Sequence, residues 1–495
     1  MRTLFFLIVL ATPSSLVSLV DSLTLTSGQR IAPRTVIDAG VTALRPAIDG
    51  TTTIDTANQN NNHNNKNNER ANKKSLFDLP SIEAWGTERG LKEHHLKTLY
   101  RVIMRSTPMV LPSSTIPSPP QIIISNPTTI KLEEENHSNS LEQQLLNQGF
   151  PKKHLTSLLS QFTLQTCSIL KIQPSNGGCK FVIQLPNAAS TDNTNNNNNN
   201  LIETVLIRHE RHSTNHVRYT VCVSSQVGCA KKCSFCATGT MGLVRQLTGA
   251  EILEQVFLVN GYLNHLNSVG GNDDDDVGVG DGAGGDASGG ITNIVYMGMG
   301  EPLDNYPSVH ESLRGLTHQC LFGLKQKKIT VSTVGASSLR IRQLADDAPH
   351  VCLAISLHSA LQESRIKLIP SANGNSIEEL GRALDYHAMK SGRGAMIEYL
   401  LIDGVNDGVE EVDALVEFCL ERNRKEDEIL TFVNLIPYNP TLAGDDFGYE
   451  TPSDERIYAF HERLKENGVK SLIRWSSATG RDANGACGQL ALSSS

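Results

Sequence analysis

The sequence predicts an α/β fold built on a parallel sheet or barrel, on three observations. Short apolar runs rich in β-branched residues recur from Val221 onward, at 292–296, 329–333, 351–357, 395–402, 430–436 and 471–475. Amphipathic segments lie between them, and two open on capping boxes, Thr248 with Glu251 and Ser376 with Glu379. The motifs bearing Gly, Cys and His directly follow strands, and repeated βα units carry their sites at the strands' C-terminal ends.

In chain order, residues 1–73 read as a presequence and linker. MRTLFFLIVLATPSSLVSLV has one Arg and a short apolar run broken by ATPSS, closer to a signal peptide than to a membrane span. Up to about Asp55 the segment is rich in Ser and Thr and lacks Glu, as organelle-targeting segments often do. Gln59 to Asn68 is an Asn-rich linker. Residues 74–166 predict a small helical accessory domain. KSLFDLPSIEAWGTERGLKEHHLKTLYRVIMR has helical spacing, a turn at Gly90, and Leu96, Leu99 and Ile103 on one face. After a Pro/Ser-rich break, LEQQLLNQGF and KKHLTSLLSQF form a second helical pair. Residues 167–221 read as a β connector of four strands, CSILKIQP, CKFVIQL, LIETVLIR and VRYTVCVSS, with Asn195 to Asn200 inserted between two of them. Residues 222–490 form the core, interrupted by a Gly-rich insert at 268–290.

A chain of 495 residues has room for two or three domains. Its net charge of −8 includes Asp273 to Asp276, Asp281 and Asp286 of that insert, which has no Lys or Arg; without it the balance is −2. Net charge therefore excludes no RNA substrate, and an RNA-binding face must be local. The ten cysteines lack the density of a secreted disulfide scaffold. Lone ones, such as Cys352 in VCLAISL, read as buried small hydrophobes.

The stretch CVSSQVGCAKKCSFC sets Cys229, Cys233 and Cys236 in a CxxxCxxC spacing, with Cys222 seven residues upstream. Clustered thiolates at such spacing bind metal. A closed zinc site takes four ligands, whereas an iron–sulfur cube held by three thiolates leaves one iron open to a substrate or cofactor. The bland alternative is a surface zinc knuckle. In MGMGEPLDNY the glycines permit close backbone approach and Glu301 offers a carboxylate to a cationic amine; a tight turn is the alternative. Ser332 in ITVSTVG, Ser356 to His358 in ISLHS and Asn439 in NLIPYNP end strands on the same rim. By themselves His358 reads as a packed histidine and Glu203, in LIETVLI, as a solvated edge-strand glutamate. Cys487 sits in the Gly-rich GRDANGACGQL, where a structural cysteine has little reason to be. Lys152–Lys153, Lys231–Lys232 and Lys325 to Lys328 are basic, and each alone reads as a solvated face; Lys231–Lys232 lies inside the cysteine loop.

Taken in this order, CVSSQVGC, CxxxCxxC, MGMGEPL, EYLLIDGVND, NLIPYNP and ACGQL resemble the radical S-adenosylmethionine (SAM) enzymes. Within them the chain is similar to the ribosomal- and transfer-RNA adenine-C2 methyltransferases, the RlmN/Cfr-like family. The resemblance spans roughly 76–110 and 140–490, and departs from the commonest form at CATGTMGL, RWSSATG and three low-complexity inserts. It implies a partial barrel of about six βα units, open enough to admit a macromolecule. It also implies one 4Fe-4S cluster on Cys229, Cys233 and Cys236, and SAM held by Gly300, Glu301, Ser332, Ser356, Leu357, His358 and Asn439. Adenine carbon 2 is too electron-poor to attack the methyl group of SAM directly. In the implied mechanism Cys487 takes a methyl group from one SAM, and a 5′-deoxyadenosyl radical from a second SAM abstracts hydrogen from it. The methylene radical adds to adenine, Glu203 accepts the proton, and Cys222 frees the product by forming a disulfide with Cys487 that is later reduced.

The implied partners are 23S-type rRNA, with tRNA as a further substrate, and an electron donor of flavodoxin or ferredoxin type. The target base must be extruded to reach the site. A monomer without stable membrane association is expected. Secretion conflicts with an oxygen-sensitive cluster, so the leader suggests an organelle, a plastid before a mitochondrion, with the cytoplasm as alternative. Three rival functions are methylation at adenine carbon 8, a non-catalytic RNA-binding or assembly factor on this scaffold, and another radical SAM activity, which does not explain Cys222 and Cys487.

Overall fold

The computed structural model describes residues 73–106, 141–175, 177–186, 200–211, 216–269, 290–423, 431–475 and 488–490. The presequence, the Pro/Ser-rich break, nearly all of the Asn run, nearly all of the acidic insert and Cys487 lie outside these residues.

Helices open the described chain. β1 (Lys74–Ser75) leads to α1 (Leu79–Glu88), which starts where the Asp78 side chain accepts from Ser81 N. Gly90 takes φ +63°, a left-handed turn that glycine adopts without strain, and α2 (Glu93–Arg105) follows. Leu99 and Ile103 of α2 are buried and Leu96 is half-buried, as its spacing predicts. α3 (Leu141–Asn147) and α4 (Lys152–Gln161) bury Leu145, Leu155 and Leu158. A parallel pairing of β1 with β2 (Phe162–Thr163) then ties the two ends of this region together.

A ten-stranded sheet holds the rest. The connector is its antiparallel flank: β3 (Ser168–Ser175), β4 (Gly178–Gln184), β5 (Leu201–Arg211) and β6 (His216–Cys222). After β6 come a small antiparallel pair, β7 (Gln226–Gly228) with β8 (Leu243–Gln246), the short α5 (Ala237–Thr240) between them, and the long α6 (Gly249–Val269). Every later pairing in the large sheet is parallel: β6 with β9 (Ile291–Tyr296), then β10 (Ile329–Thr333), β11 (Cys352–Ser356), β12 (Met396–Leu401), β13 (Phe432–Pro437) and β14 (Lys470–Ile473). The crossovers carry α7 (Tyr306–Thr317), α8 (Ser338–Asp347), α9 (Gln362–Leu368), α10 (Ile377–Ser391), α11 (Val409–Arg422), α12 (Leu442–Asp445) and α13 (Asp454–Glu466). The sheet curls. Burial, then Arg218 and Arg474, lower the pKa of His209; Arg474 follows β14 and His209 lies on β5, far apart in strand order. This is the α/β partial barrel expected, with a seventh parallel strand at its edge.

Two expectations need correction. The Thr248–Glu251 box is reciprocal, Thr248 N donating to Glu251 and Glu251 N to Thr248 Oγ1. At Ser376 half of the box forms: Glu379 N donates to Ser376 Oγ, but the Glu379 carboxylate is taken by Arg342 and Arg382. Cys352 is only half-buried, because it opens β11 at the strands' N-terminal end, where its thiol reaches Lys327 O.

Among the described residues no helix is long and apolar enough to cross a membrane. α6 is latched to the sheet by polar groups as well as by its apolar face. Glu254 accepts from Thr166 N, Thr166 Oγ1 and Cys167 N. Gln255 accepts from Thr204 Oγ1 and Ser224 N and donates to Ser224 O, at 2.7, 2.8 and 2.9 Å. Gln255→Leu would leave those buried groups unpaired, and we expect a loss of about 3 kcal/mol in urea unfolding.

Candidate active site at the strand termini

Two motifs that are far apart in sequence form one structural unit. Beyond β6 and β9 the chains run side by side: Val223 N donates to Val295 O, Gly298 N to Val223 O, and Ser225 N and Gln226 N to Met299 O. Ser224 Oγ accepts from Met299 N and donates to Glu203 O, so β5 joins the same knot. Gln226 Oε1 accepts from Glu301 N. A Cβ on Gly298 would lie 2.7 Å from Val223 O, and one on Gly300, at φ +103°, 2.6 Å from Gln226 Cβ. Both glycines are required by this close approach.

Over this knot opens a pocket of about 910 Å³, its mouth included. Its walls include Cys229, Cys233, Cys236, Gly300, Glu301, Ser332, Ser356 and His358, together with Gly488 and Leu490. Leu357 is buried beside the wall, and Asn439 is buried beyond β13 without lining it. Cys222 and Glu203 are buried in the sheet close by. The two residues just after Cys236 hold the terminal segment: Ala237 N donates to Gly488 O, and Thr238 Oγ1 to Leu490 O. Cys487 itself is outside the described residues.

The cysteine loop fits a cube. Burial first, then the neighbouring thiols and Glu301, raise Cys233 well above the ordinary thiol range, and burial pushes Cys229 up to about 12. Such thiols ionise against a metal centre, not in water. Among the described residues no three donors converge tightly enough for a single ion. A cube takes one thiolate at each of three separate corners, and the three thiols along one pocket wall suit it.

The pocket also fits a ligand with an adenosyl and an amino-acid end. Glu301 is buried, and burial raises its pKa although Leu303 N and Val334 N donate to its two oxygens. The carboxylate is thus fixed by backbone as well as presented to the pocket. His358, at φ +58°, accepts from Leu400 N through Nδ1, which leaves its proton on Nε2. Burial, then Arg365, depress its pKa to about 3, so it works as a neutral donor. The Asn439 amide nitrogen is buried with no hydrogen-bond partner among the described residues, although the residue does not line the pocket.

Four contributors were missed by sequence reasoning. Asn406, in DGVND, donates to His358 O and Leu400 O and accepts from Ile402 N, at 2.6, 2.6 and 2.8 Å, clamping the strained His358 turn. Arg365 donates to the carbonyls of Ser356, Leu357 and Val334, fastening the ends of β10 and β11. Glu398 lines the pocket floor, where Asn434 Nδ2 donates to it at 2.9 Å and Arg474 Nε donates to Asn434 Oδ1. Lys180 pairs with Glu203. For Glu398 and Lys180 the available signal was a charge inside an otherwise apolar strand. The basic runs divide. Lys231 also lines the pocket but is bound to Asp304 at 2.8 Å, and Lys325 to Lys328 precede β10, at the end of the sheet away from the site. Asn406→Ala should loosen the His358 turn and raise the dissociation constant for SAM at least tenfold in equilibrium dialysis, about 1.4 kcal/mol.

No family model matches the chain. A probable dual-specificity RNA methyltransferase RlmN of Thermotoga neapolitana is 36% identical over 343 residues, which cover 69% of this chain and 84% of that protein. The ribosomal RNA large subunit methyltransferase N of Nitrosopumilus maritimus is 37% identical over 290 residues, 58% of this chain and 73% of that one. The crystal structure of a radical SAM methyltransferase from Sphaerobacter thermophilus superposes with a TM-score of 0.62 at 28% identity, covering 84% of this chain and 99% of that one. With the curled parallel sheet and three cysteines at its rim, these likenesses make the chain a SAM-dependent radical RNA methyltransferase, a member of the RlmN/Cfr-like family.

Proposed function

We propose that the enzyme methylates carbon 2 of an adenosine in 23S-type rRNA, and of tRNA as a further substrate. The observation that carries this reading is the shared face of Cys222 and Glu203, one pleat apart beside the pocket walled by the three cluster cysteines. Cys229, Cys233 and Cys236 would hold a 4Fe-4S cluster with one open iron. Gly300, Glu301, Ser332, Ser356, Leu357, His358 and Asn439 would hold SAM, two molecules being used per turnover. When bound, the cluster and SAM supply the 5′-deoxyadenosyl radical and the methyl group.

The chain's own residues then act in sequence. The Cys487 thiolate accepts the methyl carbon and carries it to the base. Glu203 takes the proton from the carbon that has been alkylated, and the adduct's unpaired electron would return to the cluster. Cys222, as thiolate, attacks the Cys487 sulfur; the carbon–sulfur bond breaks, its electron pair goes to the departing carbon, which is protonated, and a disulfide remains. Two electrons restore the thiols. The bonds from Ala237 and Thr238 to Gly488 and Leu490 support this reading, because they tie the neighbours of Cys487 to the cysteine loop. A flavodoxin- or ferredoxin-type donor, a monomeric enzyme and a plastid location complete the proposal.

The test is mass spectrometry of nucleosides from RNA treated with anaerobically reconstituted enzyme and methyl-labelled SAM. Label is expected in 2-methyladenosine and is expected to vanish with Cys487→Ala. Label in 8-methyladenosine would assign the other carbon, and no label, with SAM still cleaved, would overturn the assignment.

A further inference from the structure

Lys180 and Glu203 form an ion pair in the sheet itself. Lys180 Nζ lies 2.9 Å from Glu203 Oε1, and the two side chains are 1% and 2% exposed. Register locates the pair. Lys180 stands opposite Val205, and Val205 opposite Cys222, in one row across β4, β5 and β6. Directly opposed residues share a face, and Glu203, two positions from Val205, shares it too. Cys222 aligns with Val295, and Val295 with Thr330, two residues before the pocket-lining Ser332. The pair therefore faces the barrel interior, with Glu203 one pleat nearer the rim than Cys222 and Lys180 level with Cys222.

As architecture alone the pair is poorly explained. Two apolar residues of the same volume would serve a buried strand as well, since desolvating both charges offsets their attraction. Its position gives it another use. A carboxylate that accepts a proton from carbon must stay ionised where there is almost no water, and an adjacent cation favours that form. The Glu203 backbone is already fixed, its N–H meeting Met299 Sδ and its carbonyl accepting from Ser224 Oγ. What remains to be set is the charge and aim of the side chain.

We propose that Lys180 is a positioning residue for the methyl transfer, its ammonium holding the Glu203 carboxylate ionised and aimed at the carbon being alkylated. This rests on the reading of Glu203 as proton acceptor. In that step the carbon–hydrogen bond of the odd-electron adduct breaks heterolytically: the proton goes to the carboxylate, the electron pair stays in the purine ring, and the adduct's unpaired electron would return to the cluster that supplied it, which restores the aromatic ring. A neutralised Lys180 leaves methylation of Cys487 intact and stalls the enzyme after it has joined the RNA.

The experiment compares Lys180→Met, Lys180→Arg and Glu203→Gln in the reconstituted, reduced full-length enzyme. Two quantities are read: methyl label on Cys487 before RNA is added, and enzyme–RNA crosslink on denaturing gels afterwards. Lys180→Met is expected to keep the Cys487 label, lose about a hundredfold in product formation, and accumulate crosslink as Glu203→Gln does. Lys180→Arg, which keeps the charge, is expected to clear the crosslink. Should the Lys180→Met chain not fold, Lys180→Gln carries the same test. Normal turnover by the uncharged Lys180 variants, with Glu203→Gln still arrested as crosslink, would overturn the role of Lys180 and leave that of Glu203 standing. Glu203→Gln turning over without crosslink would instead overturn the reading of Glu203, and this inference with it.

Discussion

The site depends on the backbone zipper between the turns after β6 and β9. Four backbone bonds between residues 223–226 and 295–299 bring two motifs together that lie more than seventy positions apart. Its geometry is enforced from both sides. Gly298 and Gly300 leave no room for a side chain, and Ser224, Gln226 and Gln255 pair with the backbone N–H groups of Met299, Glu301 and Ser224 that the close approach buries. A buried backbone group without a partner is costly, so the paired arrangement is strongly preferred over looser ones. Everything chemically interesting hangs from this knot: the first cysteine of the loop stands three residues past Gln226, Glu301 ends the other strand of the zipper, and Glu203 is tied in through Ser224.

Much of the fold was legible because it follows from local periodicity. The strands of the curled sheet fall within a few residues of the apolar runs, and α2 buries Leu99 and Ile103 as its spacing requires. What escaped reading is non-local. The β1–β2 pairing is two residues long and joins segments nearly ninety positions apart, so no window of sequence contains it. At Ser376 the capping pattern was correct, but two arginines from other turns and helices compete for the glutamate.

The candidate site divides in the same way. The cysteines and the strand-end residues announce themselves by spacing and by position after a strand. Lys180 and Glu398 do not, because one charged residue in a strand reads as an edge turned to water until the pairing shows both faces covered. Lys180 acquires meaning only through register, three strands placing it level with Cys222. Asn406 was quoted as part of a motif, yet its work is to hold the backbone of another motif's histidine. Side chains that orient other side chains leave little trace in sequence.

Where the two large insertions attach has an electrostatic consequence. β5 runs antiparallel to β6, so the end of β4 and the start of β5 stand at the same rim as Cys222. The asparagine-rich insertion, whose one charged residue is Asp192, is therefore anchored at the rim that carries the pocket. The aspartate-rich one departs from the end of α6 and returns at the start of β9, the opposite end of the parallel strands. With its acidic insertion anchored away from the pocket, a negative overall balance is compatible with an enzyme whose substrate is RNA.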